Sequence, residues 1–164
     1  MAAHAAPIAE SRRRTVGLSD ALDAATYWAG IAAVYLSYGF LWFYAAKEKL
    51  FDQDGTMPGG LAKAYHGTII DNTIGINTSW LLLGLLEGVA LLVVIASLAS
   101  GEFMPTRRKP VLLAGLAVSM LTFAVMTFGQ NVIGNFDGVA SLFTYMGVTG
   151  VVYAVIRYWL PRRS

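Results

Sequence analysis

The stretch WLLLGLLEGVALLVVIAS, Trp80 to Ser97, decides how this chain folds. It is a continuous apolar run of about the length that a bilayer-spanning helix needs. Its one charged residue is Glu87. A carboxylate at membrane depth costs roughly 2.5–3.5 kcal/mol on insertion scales. Glu87 lies between Gly84 and Gly88, a small-xxx-small pair that lets a second helix approach closely. This places Glu87 on the interior face of a helix bundle. Two readings follow: a buried polar site with a function, or a polar clamp between two helices.

The rest of the composition agrees with a membrane setting. Of 164 residues, 56% are hydrophobic and 13% charged, about half the charge of an ordinary soluble domain. Several apolar runs separated by short polar stretches predict an all-α, polytopic membrane four-helix bundle. The spans and their connections use up the length, which leaves no expectation of a separate soluble catalytic domain. There is no cysteine, which excludes disulfides, thiol redox chemistry, thiolate-held iron–sulfur clusters and c-type haem attachment in this chain. The histidines are His4 and His66. His4 falls in an expected tail, so no pair is expected to ligate haem across the bundle. A net charge of +2 gives no ground for a nucleic-acid partner.

Upstream of the central run, residues 1–23 read as a flexible N-terminal tail with Arg12, Arg13 and Arg14. The run that follows is too long for a signal-peptide core and lacks a well-placed cleavage site. It predicts an uncleaved first helix over about 24–47, with Tyr27 and Trp28 at one interface and Trp42, Phe43 and Tyr44 at the other. Gly30, Ser37 and Gly39 give it a small-residue face. It ends in Lys47, Glu48 and Lys49. Lys49 reads as an anchor that reaches the water boundary. Lys47 is either such an anchor or a partner reaching toward Glu87.

The connection from Phe51 to Ser79 turns at Asp52–Gly60. Two aspartates beside a glycine lack the rest of a calcium loop. Leu61, Tyr65 and Ile69 recur at i, i+4 and i+8 and predict a short amphipathic helix, with Lys63, His66 and Asp71 off the stripe. His66 reads as a solvated or hydrogen-bonded histidine. Asn77-Thr78-Ser79 matches a glycosylation sequon, but it hugs the membrane.

Downstream, helices are predicted over about 80–98, 110–128 and 139–159, followed by a basic tail, 161–164. Ser100 to Lys109 reads as a loop dense in positive charge, and Pro110 suits a first helical position. Gly115 and Ser119 form a further small-xxx-small pair, and Gly147 and Gly150 lie on a packing side. Gln130 and Asn131 near the end of the third helix either hydrogen-bond a ligand or cap helix carbonyls. The Lys and Arg distribution puts both termini and the 2–3 loop in the cytoplasm and the 1–2 connection outside. Glu87 is then ~10 Å from the outer end of its helix at 1.5 Å per residue. The expected location is the cell (inner) membrane.

Three features together resemble the DoxX-like superfamily of small four-helix membrane proteins. They are the Gly39 to Lys47 stretch GFLWFYAAK, the Glu87-Gly88 step in an apolar run, and a polar 1–2 connection paired with a basic 2–3 loop. The likeness covers about Tyr27 to Trp159. Members are associated with membrane redox systems, including a quinone-reducing thiosulfate oxidoreductase subunit and oxidant-defence complexes. The resemblance implies that Lys47 and Glu87 are the polar pair of the bundle. This chain departs in having no cysteine or other redox-active centre, which argues against an independent redox activity.

These readings lead first to an accessory subunit of a redox or respiratory enzyme complex, partnered by the lipid bilayer and by other membrane subunits. The second reading is a quinone-handling component, with quinone or lipid as the non-covalent ligand and a site drawn from Glu87, Lys47, Tyr44, Gln130 and Asn131. The third is a small-molecule or proton carrier, because a lone intramembrane carboxylate suits one. No inverted repeat or broken helix is visible to support alternating access.

Overall fold

The computed structural model describes residues 6–158 and residue 160. The expectations for His4, Arg162, Arg163 and the 161–164 tail lie outside them, as do those for the side chains of Arg12, Arg13 and Arg14.

The described residues form helices and no strand: α1 (Ala6–Lys47), a π-helical turn (Glu48–Asp52), α2 (Gly59–Ala64), α3 (Thr73–Ala99), α4 (Pro110–Val132) and α5 (Phe136–Tyr158). Among the described residues, four segments are long and apolar enough to cross a membrane: Ser19–Asp52, Ile74–Ala99, Pro110–Val132 and Phe136–Tyr158. The protein is a multi-pass, all-helical membrane bundle. By contacts it divides into two compact units, one up to Leu36 and one from Ser37 onward. In the first, the rings of Tyr27 and Trp28 meet edge-on at 5.6 Å. The second holds the other helices and every polar tie described below.

Several boundaries differ from the sequence-based ones, each for a local reason. Helix α1 already covers the described part of the expected tail, from Ala6 on. Alanine and arginine are strong helix formers and need no apolar period to wind. Helix α3 begins at Thr73, well before Trp80, because Asn72 caps it: the Asn72 Oδ1 accepts from the Gly75 N–H at 2.7 Å. Glu87 therefore sits near mid-helix, ~21 Å from that start at 1.5 Å per residue, deeper than expected.

Helix α4 runs through Gly129, Gln130 and Asn131 to Val132. It stops at Gly134, where φ is +70°. The Gly134 N–H donates to the Asn131 carbonyl at 3.1 Å and the Asn135 N–H to the Gln130 carbonyl at 3.0 Å. This is a Schellman closure, which needs a residue tolerant of the left-handed region. Helix α3 ends the same way at Gly101, with φ +73°. There Gly101 donates to the Leu98 carbonyl at 3.0 Å and Glu102 to the Ser97 carbonyl at 3.2 Å.

The expected amphipathic helix is α2, only six residues long. Leu61 and Tyr65 pack with Met57, Ile70, Ile76 and Trp80. Ile69, the third member of the predicted stripe, is 81% exposed. The chain leaves the helix at Tyr65 and turns at Gly67, where φ is +77°, so the helical period no longer carries to residue 69.

Inside a bilayer, apolar surface alone gives helices no reason to associate; close packing and interhelical hydrogen bonds do. Both are present. The Trp42 Nε1–H donates to Ser119 Oγ at 2.8 Å, and the Tyr38 hydroxyl donates to Thr149 Oγ1 at 2.7 Å. These bonds tie α1 to α4 and to α5. A Cβ on Gly115 would lie 3.3 Å from Val93, so α3 and α4 meet closely there.

Candidate functional site

The site is built where α1 runs out. After Lys47 the backbone widens into the π-helical turn Glu48–Asp52, a winding often found at functional positions. In this turn Lys47 and Lys49 part company. The Lys47 Nζ lies 2.7 Å from both carboxylate oxygens of Asp52, on an exposed edge. Lys49 turns inward and is buried. Its Nζ lies 3.0 Å from Glu87 Oε1.

Glu87 is 0% exposed. Neither of its oxygens has a hydrogen-bond partner among the described residues. Its tie to Lys49 is thus a contact of charge at close range, without the alignment of a directed hydrogen bond. Such a pair is costly to break, because a lone buried charge remains. The other face of the Lys49 ammonium meets Trp80, 4.7 Å from the ring centroid. That is within cation–π range.

Trp80 is held in turn. Its Nε1–H donates to Gln53 Oε1 at 3.0 Å, and Gln53 Nε2 donates to Glu48 Oε1 at 3.1 Å. The start of the 1–2 connection thereby braces the ring that covers Lys49. The close approach of this turn to α3 depends on the glycines flanking Glu87. A Cβ on Gly84 would stand 2.9 Å from Lys49 Cβ and 3.0 Å from Leu50 Cδ2. At Gly88 the nearest atom is Leu50 Cδ1 at 3.7 Å. Gly84 is the tight point of the contact, and Gly88 has ordinary room.

Of the five residues that the sequence proposed, only Glu87 lies in this cluster. Lys47, left open as an anchor or a partner of Glu87 and paired with Glu87 by the DoxX-like resemblance, is a surface partner of Asp52, and Lys49 lies beside Glu87 instead. On an α-helix two residues apart point roughly 200° apart, so only one of the two lysines can face inward. Tyr44 is 64% exposed, with its ring against Phe40 and Phe43. Gln130 Oε1 accepts from Asn135 Nδ2 at 2.7 Å, and Asn131 Nδ2 donates to the Thr127 carbonyl at 3.1 Å. Gln130 is thus engaged by a neighbouring side chain and Asn131 by a carbonyl one turn back in α4.

Sequence reasoning missed Lys49, Trp80 and Glu102. A signal for Trp80 was present: Trp80, Gly84, Glu87 and Gly88 share one helical face at i, i+4, i+7 and i+8. Glu102 is buried in the 2–3 loop. It accepts from the Ser97 hydroxyl at 2.8 Å, the Val111 N–H at 2.9 Å and the Leu112 N–H at 2.7 Å. It caps the positive end of α4 while holding the end of α3. Lys109 is also buried, and its Nζ donates to the Met104 and Arg107 carbonyls at 3.0 and 3.1 Å. Burial lowers the Lys109 pKa, while the Glu102 charge opposes that shift.

In the connection, His66 Nδ1 lies 3.0 Å from Asp71 Oδ1. The Gly67 N–H donates to Asp71 Oδ2 at 2.6 Å. His66 is therefore a hydrogen-bonded surface histidine. Asn77 accepts the Met57 N–H at 3.2 Å.

No protein-family model, curated protein or solved structure matches the chain.

Proposed function

We propose that the protein is an integral-membrane accessory subunit of a redox or respiratory complex, with the Lys49–Glu87 pair acting as an internal fastening. The observation that carries this reading is on α5. Phe143, Gly147, Val151 and Val155 recur every four residues and are all exposed. A Cβ on Gly147 would meet nothing within 4 Å. The chain's own bundle leaves this small-residue notch unused, and such notches admit a second transmembrane helix. Gly39 is open in the same sense. The redox assignment itself rests on the DoxX-like resemblance, and the absence of cysteine favours support over independent electron transfer.

The enclosed charge pair suits this reading better than a quinone site or a carrier. Quinone binding needs hydrogen-bond donors converging on a carbonyl. Lys47 is engaged by Asp52, Gln130 by Asn135, and Tyr44 faces outward. The positive-inside rule favours an orientation with both termini cytoplasmic, and the Ala-, Gly- and Val-rich composition suits a cell (inner) membrane. Arg107, Arg108 and Lys109 lie between α3 and α4, while the connection from Ile133 to Asn135 has no Lys or Arg.

The test is extraction of the tagged protein from native membranes in mild detergent, with mass spectrometry and an absorption spectrum of the eluate. The proposal expects subunits of a redox complex to co-elute, and Gly147→Leu to lower their recovery. A colourless preparation without a membrane partner contradicts it.

A further inference from the structure

A second polar feature lies at the far end of α4 and α5, away from Glu87. The 2–3 loop and the last turn of α5 line an open cavity of about 530 Å³. Arg107, Arg108 and Arg157 line it, and all three are exposed. Among the described residues none of these guanidinium groups has an acidic partner. The nearby acid, Glu102, is committed to the α4 cap. Lys109 fastens the loop backbone through the Met104 and Arg107 carbonyls. The lower wall is apolar, with Leu113 and Ile156. The cavity lies where α4 enters and α5 leaves its apolar span.

Three unpaired arginines around one cavity make a strong anion site, and the planar guanidinium matches phosphate oxygens two at a time. An apolar floor beneath such a rim suits an amphiphile whose stem continues into the bilayer. We propose that this cavity binds a phosphate-bearing anion, with Arg107, Arg108 and Arg157 holding the phosphate. The phosphate is that of an anionic phospholipid or of a soluble phosphate compound.

The test uses the full-length protein in nanodiscs and native mass spectrometry. Discs of phosphatidylcholine alone are compared with discs containing phosphatidylglycerol or cardiolipin. Inorganic phosphate is titrated separately. Retention of the anionic lipid, reduced about tenfold by Arg107→Gln/Arg108→Gln/Arg157→Gln, supports the lipid source. Phosphate binding lost in that variant, without lipid retention, supports the soluble source. Arg→Lys at the same positions keeps the charge and serves as a folding control, with weakened rather than abolished binding. Arg12→Gln/Arg13→Gln/Arg14→Gln removes equal charge elsewhere. If it lowers retention as much as the cavity variant, or if neither ligand binds, the proposal is overturned.

Discussion

The ammonium of Lys49 lies 3.0 Å from Oε1 of Glu87, and the two side chains are 7% and 0% exposed. One is delivered by a π-helical turn and the other by the middle of a transmembrane helix. Taking both from water is expensive, and their attraction offsets that cost only while both are present. Glu87→Gln alone therefore leaves a buried ammonium without its counter-charge. The expected loss is about 3–5 kcal/mol, measured by unfolding in mixed micelles. Lys49→Met should lose a similar amount.

Gly84→Ala should destabilise by about 1–3 kcal/mol, because its Cβ meets Lys49 Cβ at 2.9 Å. Gly88→Ala, with 3.7 Å to Leu50, should cost much less. Thermal melting of the two variants side by side in one detergent checks the ordering.

How much of this was legible in sequence depends on what each feature requires. The four spans were readable because apolar length alone sets them. Glu87 was readable because a charge in such a run stands out. Its partner was not, since a lysine at the end of an apolar run reads first as a water-boundary anchor, although Lys49 continues the buried face of Trp42 and Ala46. The ends of α3 and α4 rest on hydrogen bonds of Asn72 and on the left-handed turn at Gly134, and the apolar pattern registers neither. Gln130 and Asn131 looked like a site because polar residues at a helix end serve ligands and caps equally well by composition.

Glu102→Ala removes the acceptor for two α4 N–H groups and the Ser97 hydroxyl. A loss of about 2 kcal/mol is expected. Hydrogen exchange should show faster amides at Val111 and Leu112, with those of mid-α5 unchanged.

Trp42→Phe keeps most of the ring but removes the donor to Ser119. A loss of about 0.6–2 kcal/mol is expected, read from the same unfolding assay. Combining it with Ser119→Ala should add little, because both remove one bond.

The connection should respond to acid. The Gly67 amide, and after it His66, hold the Asp71 carboxyl below its ordinary value of 3.8. A group with a depressed folded pKa stabilises above its unfolded pKa, and that contribution is lost as pH falls through the folded one. Protection of the Gly67 amide, the factor by which it exchanges more slowly than an unstructured amide at the same pH, should stay high near neutrality and fall only as pH drops below the ordinary carboxylate range. Asp71→Asn should lower that protection at every pH and remove its pH dependence.

The most direct test of the central claim replaces both charges together, as Lys49→Met with Glu87→Leu. A fastening needs complementary partners rather than these two charges in particular. The account predicts that the double variant recovers most of the stability lost by either single variant, and that the redox complex proposed above, assembled with it, turns over at the wild-type rate. A double variant that folds and assembles as well as wild type, but leaves that complex inactive, would contradict it and make the pair part of the chemistry.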